Sequence, residues 1–362
     1  MKISKEVIGI AGAVVGVATA GLTVAGVIQS RRRTAAGRED PYTDEPLGQL
    51  KPDRTRTVAA DDGLPLSVEE VDPADGGRAD VTVIEVHGLA LSRRCWHFQR
   101  RDLAGLAGPR VRQVLYDQRG HGRSGRPTDD SCTIEQLGRD LDSVIRSVAP
   151  DGPLVLIGHS MGGMSIMALA EQRPELFAER VCGVALIATS AGEVGRQGLP
   201  RPLLSRNNPL TRTVGEVASW QPEVVDWIRT AGGGLTRQGV RSLAFGDHAV
   251  SASLVDFMVE MLAVTPVPVL TDFVPTLGTH NRYAALAGLR HCETVVIAGD
   301  HDRLIQYPHA ERIAAELPHA RLLRVFGAGH MVMLEEPELV TEELVGLLRR
   351  SAARAPRRRK RK

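Results

Sequence analysis

The sequence predicts an α/β fold, a mainly parallel sheet covered by helices on both faces, with a helical cap inserted between two of its strands. Short β-branched runs alternate with helix-like segments over most of the chain, the pattern of strands buried on two sides. From about Ala191 to Leu289 the alternation lapses. No clear strand appears there, while Leu, Val, Met and Phe recur at helical spacing near Val214 to Trp227 and Val250 to Leu262. A chain of 362 residues, 43% hydrophobic and 24% charged, is long enough for one large core and too apolar for disorder.

Val7 to Ile28 is a run of 22 residues without a charge, flanked by Lys2 and Lys5 before it and by Arg31, Arg32 and Arg33 after it. That length spans a bilayer, so residues 1–33 are read as an N-terminal membrane anchor. A cleaved signal peptide or a buried helix is the alternative, but the run is long for a signal and no clear small-residue cleavage site precedes the arginines. The heavier cationic cluster on the C-terminal side leans towards leaving the rest of the chain in the cytoplasm. Residues 34–53, with Pro41, Pro46, Pro52, Gly37 and Gly48 among charges, read as a linker holding the domain off the membrane.

The folded domain is expected over residues 54–350, with its cap at about 191–289. Residues near 57 to 71, around Asp62-Gly63, suggest an antiparallel hairpin at the sheet edge. Six apolar runs follow: Val81 to Val86, Gln113 to Tyr116, Leu154 to Ile157, Val181 to Ala188, Thr294 to Ala298 and Leu322 to Phe326. Helices are expected at Trp96 to Ala107, Ile134 to Val148, Met161 to Leu176, His309 to Leu317 and Leu339 to Leu348. Residues 351–362 form a basic tail in which Arg354 to Lys362 hold seven cations and no acid; removing those seven from the formal net charge of +2 leaves the rest at −5. The body therefore gives no general argument for nucleic-acid binding. The tail is simply solvated or suits anionic lipid headgroups, with nucleic acid the least favoured partner.

The chemistry gathers at three strand ends. Leu154 to His159 reads as a strand running directly into Gly158-His159-Ser160-Met161-Gly162-Gly163, with a helix following from Ser165. This is a G-x-S-x-G elbow, where a strand turns into a helix within one residue. The turn strains the serine and presses its flanking positions together, so only glycine fits at 158 and 162. A serine hydroxyl needs a base near pH 7 and a carboxylate to orient it. The run from Thr294 ends in Gly299-Asp300-His301-Asp302 and that from Leu322 in Gly327-Ala328-Gly329-His330. Both polar groups stand just past carboxyl ends of strands, where side chains converge in an open α/β sheet.

Together with His87-Gly88 after one strand and Asp117-Gln118-Arg119-Gly120-His121-Gly122-Arg123-Ser124 after the next, these motifs make residues 55–350 resemble the α/β-hydrolase fold family, in its lipase and esterase-like branch. The resemblance implies an eight-stranded sheet and a triad of Ser160, Asp302 and His330. Asp302 is preferred because the family places its acid three residues after the strand-end glycine, with Asp300 as the fallback. It also implies an oxyanion hole from the backbone N–H groups of Met161 and Leu89, although Gly88-Leu89-Ala90 lacks the longer glycine run of some lipases. His87 is then expected to shape the loop rather than to react.

Other chemistries find little support. Cys95, Cys132, Cys182 and Cys292 show no C-x-x-C spacing, His121, His159, His291 and His301 stand without metal-ligand spacing, and none of the five lysines follows a glycine as a phosphate loop requires. No cofactor or metal is called for. Met161, Met164 and Met167 either fill the core or line an acyl pocket. The expected activity is hydrolysis of a carboxylic ester or related acyl substrate, with a small-molecule or lipid-like partner. C–C bond hydrolases, aminopeptidases and perhydrolases use the same triad, and a noncatalytic membrane-tethered binding protein is the reading from another class.

Overall fold

The computed structural model describes residues 40–196, 233–246 and 250–354. Its strands are β1 (Arg54–Ala59), β2 (Pro65–Val71), β3 (Val81–Val86), β4 (Val111–Tyr116), β5 (Leu154–His159), β6 (Val181–Ile187), β7 (Glu293–Gly299) and β8 (Arg321–Val325). They form one sheet in the order β1-β2-β4-β3-β5-β6-β7-β8. β1 and β2 are the antiparallel edge, β2 meets β4 antiparallel, and every later pairing is parallel.

The α-helices among the described residues are α1 (His97–Ala104), α2 (Ile134–Val148), α3 (Met161–Gln172), α4 (Pro174–Glu179), α5 (Gly233–Ala244), α6 (Ala252–Val264), α7 (Val267–Thr279), α8 (Pro308–Glu316), α9 (Val332–Glu335) and α10 (Pro337–Arg354). The period-2 alternation of the central strands sorts side chains to the two faces. Val155 and Ile157 of β5 join one core with residues of α1 and α10, while Leu154 and Leu156 join the other with residues of α2 and α3. Burial of each such aliphatic side chain contributes about 1.5–3 kcal/mol. Both faces of β5 are therefore covered, which fixes its carboxyl end in the middle of the sheet.

Several boundaries differ from the sequence reading. The helix read through Met161 to Leu176 breaks at Arg173, since Pro174 has no N–H and disfavours helical backbone before it; Arg173 sits at φ −134° and ψ 58°. The helix read from Trp96 starts at His97 after a 3-10 turn, Arg93–Trp96. The basic tail begins later than 351, because α10 continues through Arg354, whose guanidinium reaches Glu293 at 2.6 Å.

The linker is the larger correction. From Asp40 onward the segment packs on the domain: Asp40 accepts from Ser251 Oγ at 2.6 Å and Ser253 N–H at 2.9 Å, the Tyr42 ring lies tilted against Phe98 with centroids 5.2 Å apart, and Leu47 is buried in the core. Its prolines and glycines shape a strap instead of a spacer. The proposed membrane run at residues 7–28 and the helix read near Val214 to Trp227 lie outside the described residues. Among the described residues no single helix is long and apolar enough to cross a membrane.

Candidate active site

β5 ends at His159 and α3 begins at Met161, so Ser160 alone makes the turn. It adopts φ 53° and ψ −120°, a conformation strained for a residue with a side chain. Its surroundings hold it there. The Ser160 N–H donates to Ile187 O at 2.9 Å, and the Ser160 carbonyl accepts from Thr189 Oγ1 at 2.6 Å and from the Gly163 N–H at 3.0 Å. A Cβ at Gly158 would lie 2.7 Å from the Gly162 carbonyl carbon, and one at Gly162 would lie 2.1 Å from the Val86 oxygen. Glycine at both flanks is thus a packing requirement.

His330 stands in the loop after β8. Its Nδ1 lies 2.8 Å from Asp302 Oδ2, while Asp302 Oδ1 accepts the N–H groups of Leu304 at 2.8 Å and Ile305 at 2.9 Å. Both carboxylate oxygens are occupied, so the orientation of the acid is fixed. Asp300 points elsewhere, accepting Gly327 N–H at 2.6 Å and facing Arg324 at 3.2 Å. Of the two aspartates read from the sequence, Asp302 is the one that meets His330. With Nδ1 committed to the carboxylate, Nε2 is the nitrogen available for proton transfer. All three side chains are buried. Among the described residues Ser160 Oγ and His330 Nε2 are not hydrogen-bonded to each other; contacts of this kind commonly tighten only with substrate in place.

Two neutral histidines shape the loop after β3. His87 donates from Nδ1 to Gly88 O at 2.7 Å and accepts the Gln118 N–H on Nε2 at 2.9 Å. His121 donates from Nδ1 to Arg119 O at 2.9 Å and accepts the Ala90 N–H on Nε2 at 3.2 Å. Burial, with the nearby His121 adding to it, pushes the His87 pKa well down, and burial holds His121 at about 4. Both rings therefore serve as uncharged hydrogen-bond relays. The Ala90 amide is occupied by His121, and Ala90 takes φ 65°. Met161 is the first residue of α3, so its N–H has no acceptor within the helix.

Three contributors escaped the sequence reading. His159, read as a lone histidine, donates from Nε2 to the carbonyl of His330 at 2.9 Å; burial and then the neighbouring His330 push its pKa well down, keeping the ring neutral. Thr189 holds the elbow carbonyl. Glu335 accepts the N–H of Gly329 at 2.8 Å and of Gly246 at 2.7 Å, latching the cap to the His330 loop. Only the adjacency of His159 to Ser160 was visible in the sequence.

An open α/β sheet with a strained serine at its central strand end and a histidine–carboxylate pair on neighbouring loops defines a class, the α/β-hydrolase architecture. The sequence profile of the Alpha/beta hydrolase family matches residues 86–343. The chain belongs to the alpha/beta hydrolase family and is a hydrolase of that fold. It is 26% identical over 270 residues to Esterase PIR7B of Oryza sativa subsp. japonica, covering 72% of this chain and 93% of that one. A polyketide synthase of Burkholderia thailandensis, ThaQ, is 25% identical over 340 residues, which is 90% of this chain but 15% of the synthase. Among solved structures, a thermophilic esterase from Thermogutta terrifontis superposes with a TM-score of 0.64 at 21% identity, covering 83% of this chain and 99% of the esterase.

Proposed function

We propose that the chain is a serine hydrolase that cleaves a carboxylic ester or related acyl substrate through an acyl-enzyme. His330 Nε2 removes the Ser160 proton, Ser160 Oγ attacks the carbonyl carbon, and the oxyanion rests on the Met161 and Leu89 N–H groups. His330 then protonates the leaving group, and water, activated by the same ring, releases the acid. Asp302 orients His330 and stabilises its charged form. The observation that carries this reading is the 2.8 Å contact between His330 Nδ1 and an Asp302 carboxylate whose other oxygen is held by two backbone amides. The positive φ of Ser160 supports it.

A fluorophosphonate probe is expected to label the full-length protein and to leave Ser160→Ala unlabelled; equal labelling of both would overturn the proposal. Turnover of p-nitrophenyl esters of graded chain length, set against amino-acid amides, reports the preferred acyl group. Membrane tethering through residues 7–28 is proposed alongside. Fractionation of cells expressing the chain, with protease accessibility of the domain, tests it.

A further inference from the structure

A cavity of about 540 Å³ lies between the strap at residues 48–52, the edge strands β1 and β2, the loops after β3 and β4, and the cap helix α6. None of Ser160, Asp302 and His330 lines it. Its wall carries five cations, Lys51, Arg93, Arg94, Arg100 and Arg123, against two carboxylates, Glu69 and Asp117.

The carboxylates are already neutralised. Arg93 pairs with Asp117 and with Glu69 at 2.8 Å, and Arg100 Nη1 reaches Glu69 at 2.7 Å. Arg94 is held by Glu260 at 3.2 Å and by the strap carbonyls of Gly48 and Leu47. The side chains of Lys51 and Arg123 are exposed and have no ion-pair partner among the described residues. The surplus charge of the cavity is therefore positive.

Two donors on the same wall lack an acceptor. Arg100 Nη2 and Ser92 Oγ are buried and have no hydrogen-bond partner among the described residues. An unpaired donor held away from solvent carries its full desolvation penalty, and a charged one carries more. An acceptor that reaches them from the cavity, with a small shift of the Arg100 or Ser92 side chain, removes that penalty.

We propose that this cavity binds a phosphate group, either as free inorganic phosphate or as the phosphoryl end of an organic ester. Guanidinium forks, a hydroxyl and a free ammonium on different walls call for an acceptor with more than two oxygens and more than one negative charge, which a carboxylate does not offer. Ser92 and Arg93 follow directly on the loop carrying Leu89, and the Asp117 carboxylate accepts the backbone N–H groups of Arg93 at 2.9 Å and Arg123 at 2.8 Å. The site thus shares a frame with the proposed oxyanion loop while standing apart from the nucleophile.

The test is calorimetric titration of the full-length protein with inorganic phosphate and, separately, with glycerol 3-phosphate, at ionic strength held constant with chloride. Saturable binding of either supports the proposal, and the tighter of the two identifies the source. Lys51→Gln combined with Arg123→Gln is expected to weaken binding about tenfold or more and to melt like the wild type in chloride alone. Ser160→Ala is expected to bind as the wild type does, which separates this proposal from the hydrolase reading. Absence of saturable heat with both ligands, or equal affinity in the double variant, would overturn it.

Discussion

The imidazole of His159 donates from Nε2 to the backbone carbonyl of His330 at 2.9 Å, and the two ring centroids lie 4.7 Å apart. The residue before the proposed nucleophile thereby fixes the backbone of the proposed base. A displacement of about 1 Å at a reacting pair is enough to slow chemistry by about a hundredfold. His159→Ala is accordingly expected to lower kcat for ester hydrolysis by about 10–100-fold while leaving KM nearly unchanged. His159→Gln, which keeps an N–H donor, is expected to recover part of the loss. Wild-type kcat in His159→Ala would show that the ring merely fills space.

The two aspartates at the end of β7 make a paired test. Asp302→Asn keeps the volume but offers an amide where His330 Nδ1–H needs an acceptor, and is expected to reduce kcat by about 10³–10⁴-fold. Asp300→Asn leaves His330 untouched and is expected to act on stability through Arg324 and Gly327 and hardly on kcat. The reverse ranking in steady-state assays would reassign the acid.

Glu85 of β3 is fully buried, and neither of its carboxyl oxygens has a hydrogen-bond partner among the described residues. Burial raises its pKa from the ordinary 4.5 to about 8, so the folded protein keeps it protonated where the unfolded chain has released the proton. The contribution of Glu85 to stability is therefore undiminished below pH 4.5 and falls as the pH rises towards 8, by roughly 1.4 kcal/mol per unit. Glu85→Gln removes this dependence. Urea unfolding of both proteins at pH 5, 6.5 and 8 is expected to show the variant gaining steadily on the wild type. A difference that does not change with pH would contradict a buried neutral acid.

Gly162→Ala would drive a methyl group to 2.1 Å from the carbonyl oxygen of Val86. Backbone cannot yield there without moving the end of β3 away from α3, and the variant is expected to lose several kcal/mol, roughly 3 or more, or to fail to fold. Gly288→Ala is the control, because its added methyl would meet only Ala170, at 3.8 Å, and its effect is expected to stay within about 1 kcal/mol. Thermal unfolding of the two variants side by side decides between close packing and general intolerance to substitution.

Much of this architecture was legible because strand composition and motif spacing are local. Val81–Val86 was read at its observed bounds, and Gly158 to Gly163 announced the elbow that the φ of Ser160 realises. Boundaries set by a single breaker were legible in principle, as Pro174 shows. The packing of residues 40–53 was not, because Pro and Gly mark a strap and a spacer alike until Asp40 finds Ser251.

The sequence by itself determined the residue types, their order along the chain and the strand ends that carry them, since periodicity and turn chemistry depend on near neighbours. Only the tertiary structure decided which aspartate meets His330, that His159 braces that loop, and that Glu335 joins the cap to it. Those outcomes depend on contacts between residues as far apart as 171 positions, and such contacts form only when β5, β6, β7 and β8 are laid side by side in the sheet.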